Sequence, residues 1–126
     1  MDAVEQTILH LRAGIPDTQV GARVPSPRPV RFLLCRRLGG TFDWPVVDQP
    51  MLGIEAWEGS DAKAHDLCQQ ARALIWSLRG HTFADGTPVY RVQELAGPSS
   101  LPDPTSDQPR YVATFVLSHR HHMEVA

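Results

Sequence analysis

The sequence predicts an α+β fold, with two helices, at about residues 2–13 and 61–79, packed on a mainly antiparallel sheet of four to five strands. Three observations lead to this fold class. Residues 60–80 have the apolar spacing of an amphipathic helix, with capping residues at both ends. β-like runs precede and follow that helix, at residues 51–58 and 89–95. The length of 126 residues suits one domain with its own core.

The first helix is predicted from Val4, Ile8 and Leu11, which fall on one side of a helical wheel. Asp2 stands where a capping side chain would accept hydrogen bonds from the first free amides. Gly14 follows the last apolar residue and favours an end to the helix there.

The second helix is the segment around which the rest of the chain is expected to be organised. Ser60 offers an N-cap hydroxyl, Asp61 suits the positive end of the helix dipole, and Gly80 suits the closing left-handed conformation. Its apolar stripe is expected to pack on the sheet, and it consists of Ala64, Leu67, Cys68, Ala71, Leu74, Ile75 and Leu78.

The strands are predicted from runs of alternating or continuous apolar residues. These runs are Val30–Leu38, Met51–Glu58, Val89–Leu95 and Tyr111–His119, with Thr18–Val24 as a short extended piece that would join a sheet edge.

Prolines divide these elements, because proline cannot donate a ladder hydrogen bond. Val24–Pro29 is expected to be an extended arm outside the core. Residues 41–50, after Gly39-Gly40, are expected to form a long connection, and residues 96–108 a surface loop. We expect one domain over residues 1–120 and a flexible, histidine-containing tail at 121–126.

Charge is unevenly distributed, although the net charge is only −2. The segment from Gly21 to Phe42 contains no Asp or Glu, which predicts a positive surface patch suited to planar carboxylate or phosphate contacts. A solvated strand face with a basic loop is the equally favoured alternative. The arginines of this segment are Arg23, Arg28, Arg31, Arg36 and Arg37.

Composition and motifs argue against several function classes. No apolar run approaches the roughly 20 residues of a membrane span, and the start MDAVEQ is unlike a signal peptide, so the chain is expected to be cytosolic. The sequence contains no nucleophile elbow, P-loop, dinucleotide fingerprint or zinc-protease motif. We therefore expect no enzyme activity and no cofactor. Cys35 and Cys68 occupy apolar-pattern positions and are expected to be buried thiols.

The histidines near the end of the chain are the one group that suggests metal chemistry. His119, His121 and His122 are close enough in sequence to share an ion. No Cys or carboxylate is placed by sequence to complete such a site, so a solvated histidine cluster without metal is the favoured interpretation.

The ordered set of segments resembles the tail terminator proteins of long-tailed, non-contractile bacteriophages, particularly those that infect actinobacteria. The resemblance covers about residues 3–120, and the prolines around Arg28 and the segment Leu101–Tyr111 contribute most to it. The matching segments are VGARVPSPRPVRFLLCRRLGG, MLGIEAWEGSDAKAHDL and VYRVQELAGPSSLPDPTSDQPRYVATFVLSHR.

The resemblance implies a small α+β subunit that assembles into a ring, commonly a hexamer, in the neck region of the virion. The ring would bind the last ring of tail tube protein, stop the tube from growing and offer a docking surface to the head connector. Genomic DNA would pass through its centre without sequence-specific binding. Assembly would take place in the host cytoplasm, and no membrane would be involved.

Extended, proline-stiffened segments are suited to contacts between ring subunits, because they lose little conformational entropy on docking. The arginine patch is hypothesised to meet the Leu101–Asp107 loop of a neighbouring copy. The candidate interface residues are Arg23, Pro25, Arg28, Arg31, Arg37, Phe42, Trp44, Leu101, Asp103 and Arg110.

Two alternatives remain open at this point. A head-closure protein or another neck component would have the same α+β character and ring geometry. A small metal-binding enzyme that uses the C-terminal histidines belongs to a different class.

Overall fold

The computed structural model describes residues 1–43 and 47–121, and it contains two helices and a five-stranded sheet. The predicted α+β class with a mostly antiparallel sheet is therefore confirmed. In chain order the elements are α1 (Ala3–Gly14), β1 (Gln19–Gly21), β2 (Phe32–Asp43), β3 (Val47–Trp57), α2 (Asp61–Trp76), β4 (Val89–Ser100) and β5 (Arg110–Arg120).

The sheet has the order β1-β2-β3-β5-β4, so the last strand of the chain is inserted between β3 and β4. The short edge strand β1 pairs with β2 in parallel, and every other named pair is antiparallel. Neither described helix is long and apolar enough to cross a membrane.

Both helices begin at the residues that their caps predict. The Asp2 carboxylate accepts from the amide of Val4 at 2.9 Å, and the Ser60 hydroxyl accepts from the amide of Lys63 at 3.3 Å. The apolar stripes of the helices join one face of the sheet in the main core. That face supplies, among others, Leu33, Ile54 and Phe115.

The expected loop at residues 41–50 is not found in its described parts, and residues 44–46 lie outside the described residues. Residues 41–43 continue β2 and residues 47–50 begin β3, so that the two strands form one long hairpin. Gly39 and Gly40 do not end the strand. They have φ values of +109° and +120° and lie where the register shifts between Arg37 and Gly40, a bulge that glycine accommodates readily.

Strand β4 is also longer than predicted, because it extends to Ser100 through Pro98. It lies at the edge of the sheet, where a proline is tolerated, and its pairing with β5 shifts register three times. The loop predicted for 96–108 therefore begins only at Leu101. The tail predicted for 121–126 lies outside the described residues except for His121.

Thr7 provides a stability test within α1. Its side chain is buried, and its hydroxyl has no hydrogen-bond partner among the described residues. Replacing it by valine removes an unpaired polar group, so we expect Thr7→Val to raise the free energy of unfolding by about 1 kcal/mol. Thr18 is the matched control, because its buried hydroxyl accepts from Nε of Arg31 at 2.7 Å.

Urea denaturation of both variants checks this expectation. Thr18→Val should lower the free energy of unfolding, since the Arg31 guanidinium loses an acceptor. A loss of stability in Thr7→Val comparable to that in Thr18→Val would contradict the expectation.

Candidate functional site

The face of the sheet opposite the helices is the candidate site. The register of β2, β3 and β5 aligns side chains in cross-strand rows on this face. The first row is Phe32, Trp57 and Arg110, the second is Leu34, Glu55 and Val112, and the third is Arg36, Gly53 and Thr114.

Trp57 is the centre of the first row. It stacks on Phe32 with ring centroids 5.0 Å apart, and the guanidinium carbons of Arg28 and Arg110 lie 5.3 and 5.1 Å from its centroid. Phe32, Leu34 and Trp57 form a small core separate from the main one. Each guanidinium is attracted to the ring quadrupole, and each also pairs with a carboxylate, Asp103 for Arg28 and Glu55 for Arg110, which offsets the repulsion between the two cations.

Glu55 connects the first row to the third. Arg110 Nη1 lies 3.1 Å from one of its carboxylate oxygens and Arg36 Nε lies 3.6 Å from the other. Both arginines are diagonal neighbours of Glu55 in the register, which explains why one acid is within reach of two cations.

The proline-rich arm and the loop before β5 close one end of this face. Arg28 Nη1 lies 3.8 Å from Asp103 Oδ2, and Gln108 Nε2 donates to the Val30 carbonyl at 2.8 Å. The Ser106 hydroxyl donates to Asp103 and, together with backbone amides and the Arg28 charge, lowers the pKa of Asp103. Asp103 is therefore an anionic anchor for the arm.

Between the arm and the loop the sheet forms a groove of about 490 Å³, which we call the sheet groove. Val24, Leu38 and Leu101 are 41%, 54% and 51% exposed at its rim, although all three are apolar. Its floor includes Arg36, Gly53, Glu55, Trp57, Arg110, Val112 and Thr114. A concave surface with an apolar rim and paired charges in its floor can dock a protein segment.

The structure brings some of the predicted interface residues together at this groove and places the others elsewhere. Arg28 lies above Trp57, and Leu101, Asp103 and Arg110 line the groove itself. Leu101 and Arg110 are also joined directly, since Nε of Arg110 donates to the Leu101 carbonyl at 2.8 Å.

The remaining predicted residues form no single cluster. Arg23 and Pro25 line a separate depression beside β1. Arg31 joins the α1–β1 connection to the end of β3, and Arg37 and Phe42 belong to the β2–β3 hairpin. Trp44 lies outside the described residues.

The expected positive patch is largely neutralised within the chain. Arg28 belongs to the patch that was hypothesised to meet the Leu101–Asp107 loop of a neighbouring copy, and it pairs with Asp103 of its own chain. The contact between copies stays a prediction. The other in-chain pairs are Arg31 with Asp17 and Glu58, Arg36 with Glu55, and Arg37 with Asp48.

Sequence reasoning missed Trp57, Glu55 and Arg36 as parts of the site. Their common signal is the alternation of β2 and β3, which places Trp57 and Glu55 on one face and Arg36 on the matching face of its neighbour. Without the strand register, nothing in the sequence indicated that these positions adjoin the arm.

The histidine cluster is arranged differently from the solvated group that was expected. His119 is buried at 1% exposure, with Nδ1 donating to the Arg120 carbonyl at 2.9 Å. The rings of His121 and Phe42 meet edge to face, with their centroids 4.8 Å apart. His122 lies outside the described residues. No group of three or more potential metal-ligand side chains occurs in the part of the chain that the structure describes.

Both cysteines are buried free thiols, as predicted. Burial raises the pKa of Cys35 to about 12 and that of Cys68 to about 11, so neither is a thiolate at neutral pH. This leaves both side chains as parts of the core.

Comparisons with known proteins do not assign this site. The sequence matches no family model, and no curated protein matches it.

Proposed function

We propose that the protein is a structural subunit of a virion tail, which assembles into a closed ring, caps the tail tube and stops its growth. The ring, commonly a hexamer in the proteins that the sequence resembles, would present a second surface to the head connector. The sheet groove is the contact surface between copies or with the tube protein. No reaction is part of this role.

The observation that carries the proposal is the set of exposed apolar side chains around the sheet groove. Single exposed apolar residues are ordinary, but Val24, Leu38 and Leu101 surround one concave surface on the face that neither described helix covers. A fold of this class serves many functions, so the assignment rests on this surface and on the sequence resemblance.

The rigidity of the rim supports the same role. The arm is held by Arg28 at Asp103 and Trp57, and by Gln108 at the Val30 carbonyl. A segment that is already ordered loses little entropy when a partner binds, which favours tight closure of a ring. Closure requires heterologous contacts, in which the groove of one copy meets a different surface of the next.

Native mass spectrometry and negative-stain imaging with tail tubes of the same virus test the proposal directly. The expected result is a closed ring that decorates tube ends and shortens tubes when it is added during their assembly. Binding at the portal instead of the tube would identify a head-closure protein. A monomer that binds neither structure would overturn the assignment.

A charge at the rim of the groove should weaken ring formation. We expect Leu38→Glu to weaken association at least tenfold, as the loss of an apolar anchor at an interface does. Because Leu38 is 54% exposed, its substitution should change the free energy of unfolding by about 1 kcal/mol or less. Analytical ultracentrifugation and thermal unfolding measure the two effects separately.

Leu9→Glu is the matched control for this variant. Leu9 is 39% exposed on α1, in the helical layer on the other side of the sheet, and glutamate is a good helix former. The control should assemble normally. If both variants lose assembly equally, or if both assemble normally, the sheet groove is excluded as the contact surface.

A further inference from the structure

A polar cluster lies where the main core ends, at the outer part of the β2–β3 hairpin. It consists of Arg37 on β2, Asp48 on β3 and His119 on β5. Arg37 reaches Asp48 with both of its terminal nitrogens, at 3.2 Å each. Nε2 of His119 lies 3.5 Å from Oδ2 of the same carboxylate.

We propose that these three residues form a proton-dependent clasp, in which protonated His119 ties the outer hairpin to β5 and loss of the proton loosens it. This inference is independent of ring formation.

The hydrogen bonding of the imidazole supports the proposal. Because a carbonyl oxygen can only accept, Nδ1 of His119 must carry a proton to bond the Arg120 carbonyl. In the neutral ring Nε2 is then a bare acceptor, and it is buried without a hydrogen-bond partner among the described residues. Protonation turns Nε2 into a donor, and a displacement of a few tenths of an ångström would complete a charge-assisted bond to Asp48.

Asp48 provides a permanent negative charge for this contact. Burial alone would raise the pKa of Asp48, but the hydrogen bonds and charge of Arg37, with the charge of His119, hold it below the ordinary 3.8. Its contribution to stability is therefore present above that value and is lost only as the pH falls below it.

The remaining surroundings of His119 are mostly uncharged. Val89 of β4 is its register partner on one side, and the centroids of the Phe83 and His119 rings lie 6.1 Å apart in an edge-to-face arrangement. On its own strand, Arg120 and His121 follow it. Among the described residues, the ion pair of the His119 ring is with Asp48, which in turn pairs with Arg37.

The outer part of β3 has few backbone pairs with β5, so the side-chain clasp matters for how firmly the hairpin is held. The β3–β5 register passes from Met51 opposite Val116 to Asp48 opposite His119, without pairs at Gln49 and Pro50. Within residues 47–121, Val47 and Asp48 are the only β3 residues that pair with β5 beyond this gap. A segment with so few ladder contacts opens more readily than the rest of the sheet, so one side-chain contact can control it.

Hydrogen exchange of the hairpin amides as a function of pH tests the clasp. After correction for intrinsic exchange rates, protection of residues 40–43 and 47–49 should be about tenfold greater when His119 is protonated, the change expected for a charge-assisted hydrogen bond. Because the proton-bound form is the tighter one, protection is expected at lower pH and is lost as the pH rises. The transition should coincide with the titration of the His119 ring signals in NMR spectra.

Two variants and one control separate this mechanism from others. His119→Gln and Asp48→Asn should each abolish the pH dependence of hairpin protection. His121→Gln should retain it, although His121 contacts Phe42 in the same hairpin. If either His119→Gln or Asp48→Asn fails to fold, the other variant and the wild-type titration still decide the question.

The clasp is overturned by any of three results. The first is hairpin protection that stays constant in the wild type while the His119 signals titrate. The second is pH dependence that survives in His119→Gln or in Asp48→Asn. The third is pH dependence that disappears in His121→Gln, because the proton would then act through the contact with Phe42.

Discussion

Replacing Gly40 by alanine is expected to lower the free energy of unfolding by about 3 kcal/mol or more. The residue has a φ of +120°, a conformation that side chains with a Cβ rarely adopt. An added Cβ would also lie 2.2 Å from the Gln49 carbonyl oxygen and 2.8 Å from the Met51 amide nitrogen. Both are backbone atoms of β3, so relief of the clash requires the hairpin ladder itself to shift.

Gly39→Ala is the matched control, because it separates the steric clash from the backbone conformation. Gly39 has a φ of +109°, yet an added Cβ there would meet nothing within 4 Å. Gly39→Ala should lower the free energy of unfolding only by the conformational strain, about 1–3 kcal/mol. Urea denaturation of both variants gives the difference, and equal losses would mean that the close approach to β3 is unimportant.

The glycine pair also shows where sequence reasoning about the fold reached its limit. Glycine followed by a proline-bounded segment is typical of a loop, and residues 41–50 were predicted as one. The same glycines instead allow a bulge in a strand that continues beyond them. The choice depends on whether a neighbouring strand supplies hydrogen-bond partners, and that information is not local.

Helices were predicted more successfully than strand ends, for a physical reason. The cap, dipole and apolar stripe of α2 are all contained within residues 60–80, so the start at Asp61 is determined locally. Its end at Trp76 falls short of the predicted residue 79, because turns replace the last helical residues. The far end of β4 depends instead on its pairing with β5 and on the tolerance of an edge strand for Pro98.

The candidate site shows the same difference between features that are determined locally and features that depend on strand pairing. The arginine-rich segment and the Leu101–Asp107 loop were identifiable from composition alone. Their connection within one chain was not, because Arg28 and Asp103 meet only when the last strand is inserted between β3 and β4. The ion pairs of the helix-free face follow from strand register, which a single sequence determines only weakly.

Trp57→Ala is expected to lower the free energy of unfolding by about 3–5 kcal/mol, as the truncation of a buried aromatic side chain does. Trp57 is 4% exposed, and its loss removes the stack with Phe32 as well as the ring that Arg28 and Arg110 contact. Thermal unfolding measures the loss. Trypsin cleavage after Arg23, at the start of the arm, measures whether the arm becomes accessible, since the Arg28–Pro29 bond resists trypsin.

Two other tryptophan variants show which property of Trp57 matters. Trp76 is 37% exposed, with its indole nitrogen 3.2 Å from Glu94, so Trp76→Ala should lower the free energy of unfolding by only about 1 kcal/mol. Trp57→Phe keeps a ring in the stack and removes an indole N–H that has no acceptor among the described residues. Trp57→Phe should lower the free energy of unfolding much less than Trp57→Ala does, since an unpaired buried donor is itself unfavourable.

The accessibility of the arm distinguishes two ways in which the rim of the sheet groove can be held. If Trp57 anchors the arm, Trp57→Ala exposes the Arg23–Val24 bond to trypsin under conditions in which the rest of the chain remains folded, and Trp57→Phe does not. If the arm remains protected in Trp57→Ala, the contacts of Arg28 with Asp103 and of Gln108 with Val30 are sufficient. The first result would make the aromatic stack a requirement for a rigid rim, and hence for the assembly role proposed for the groove.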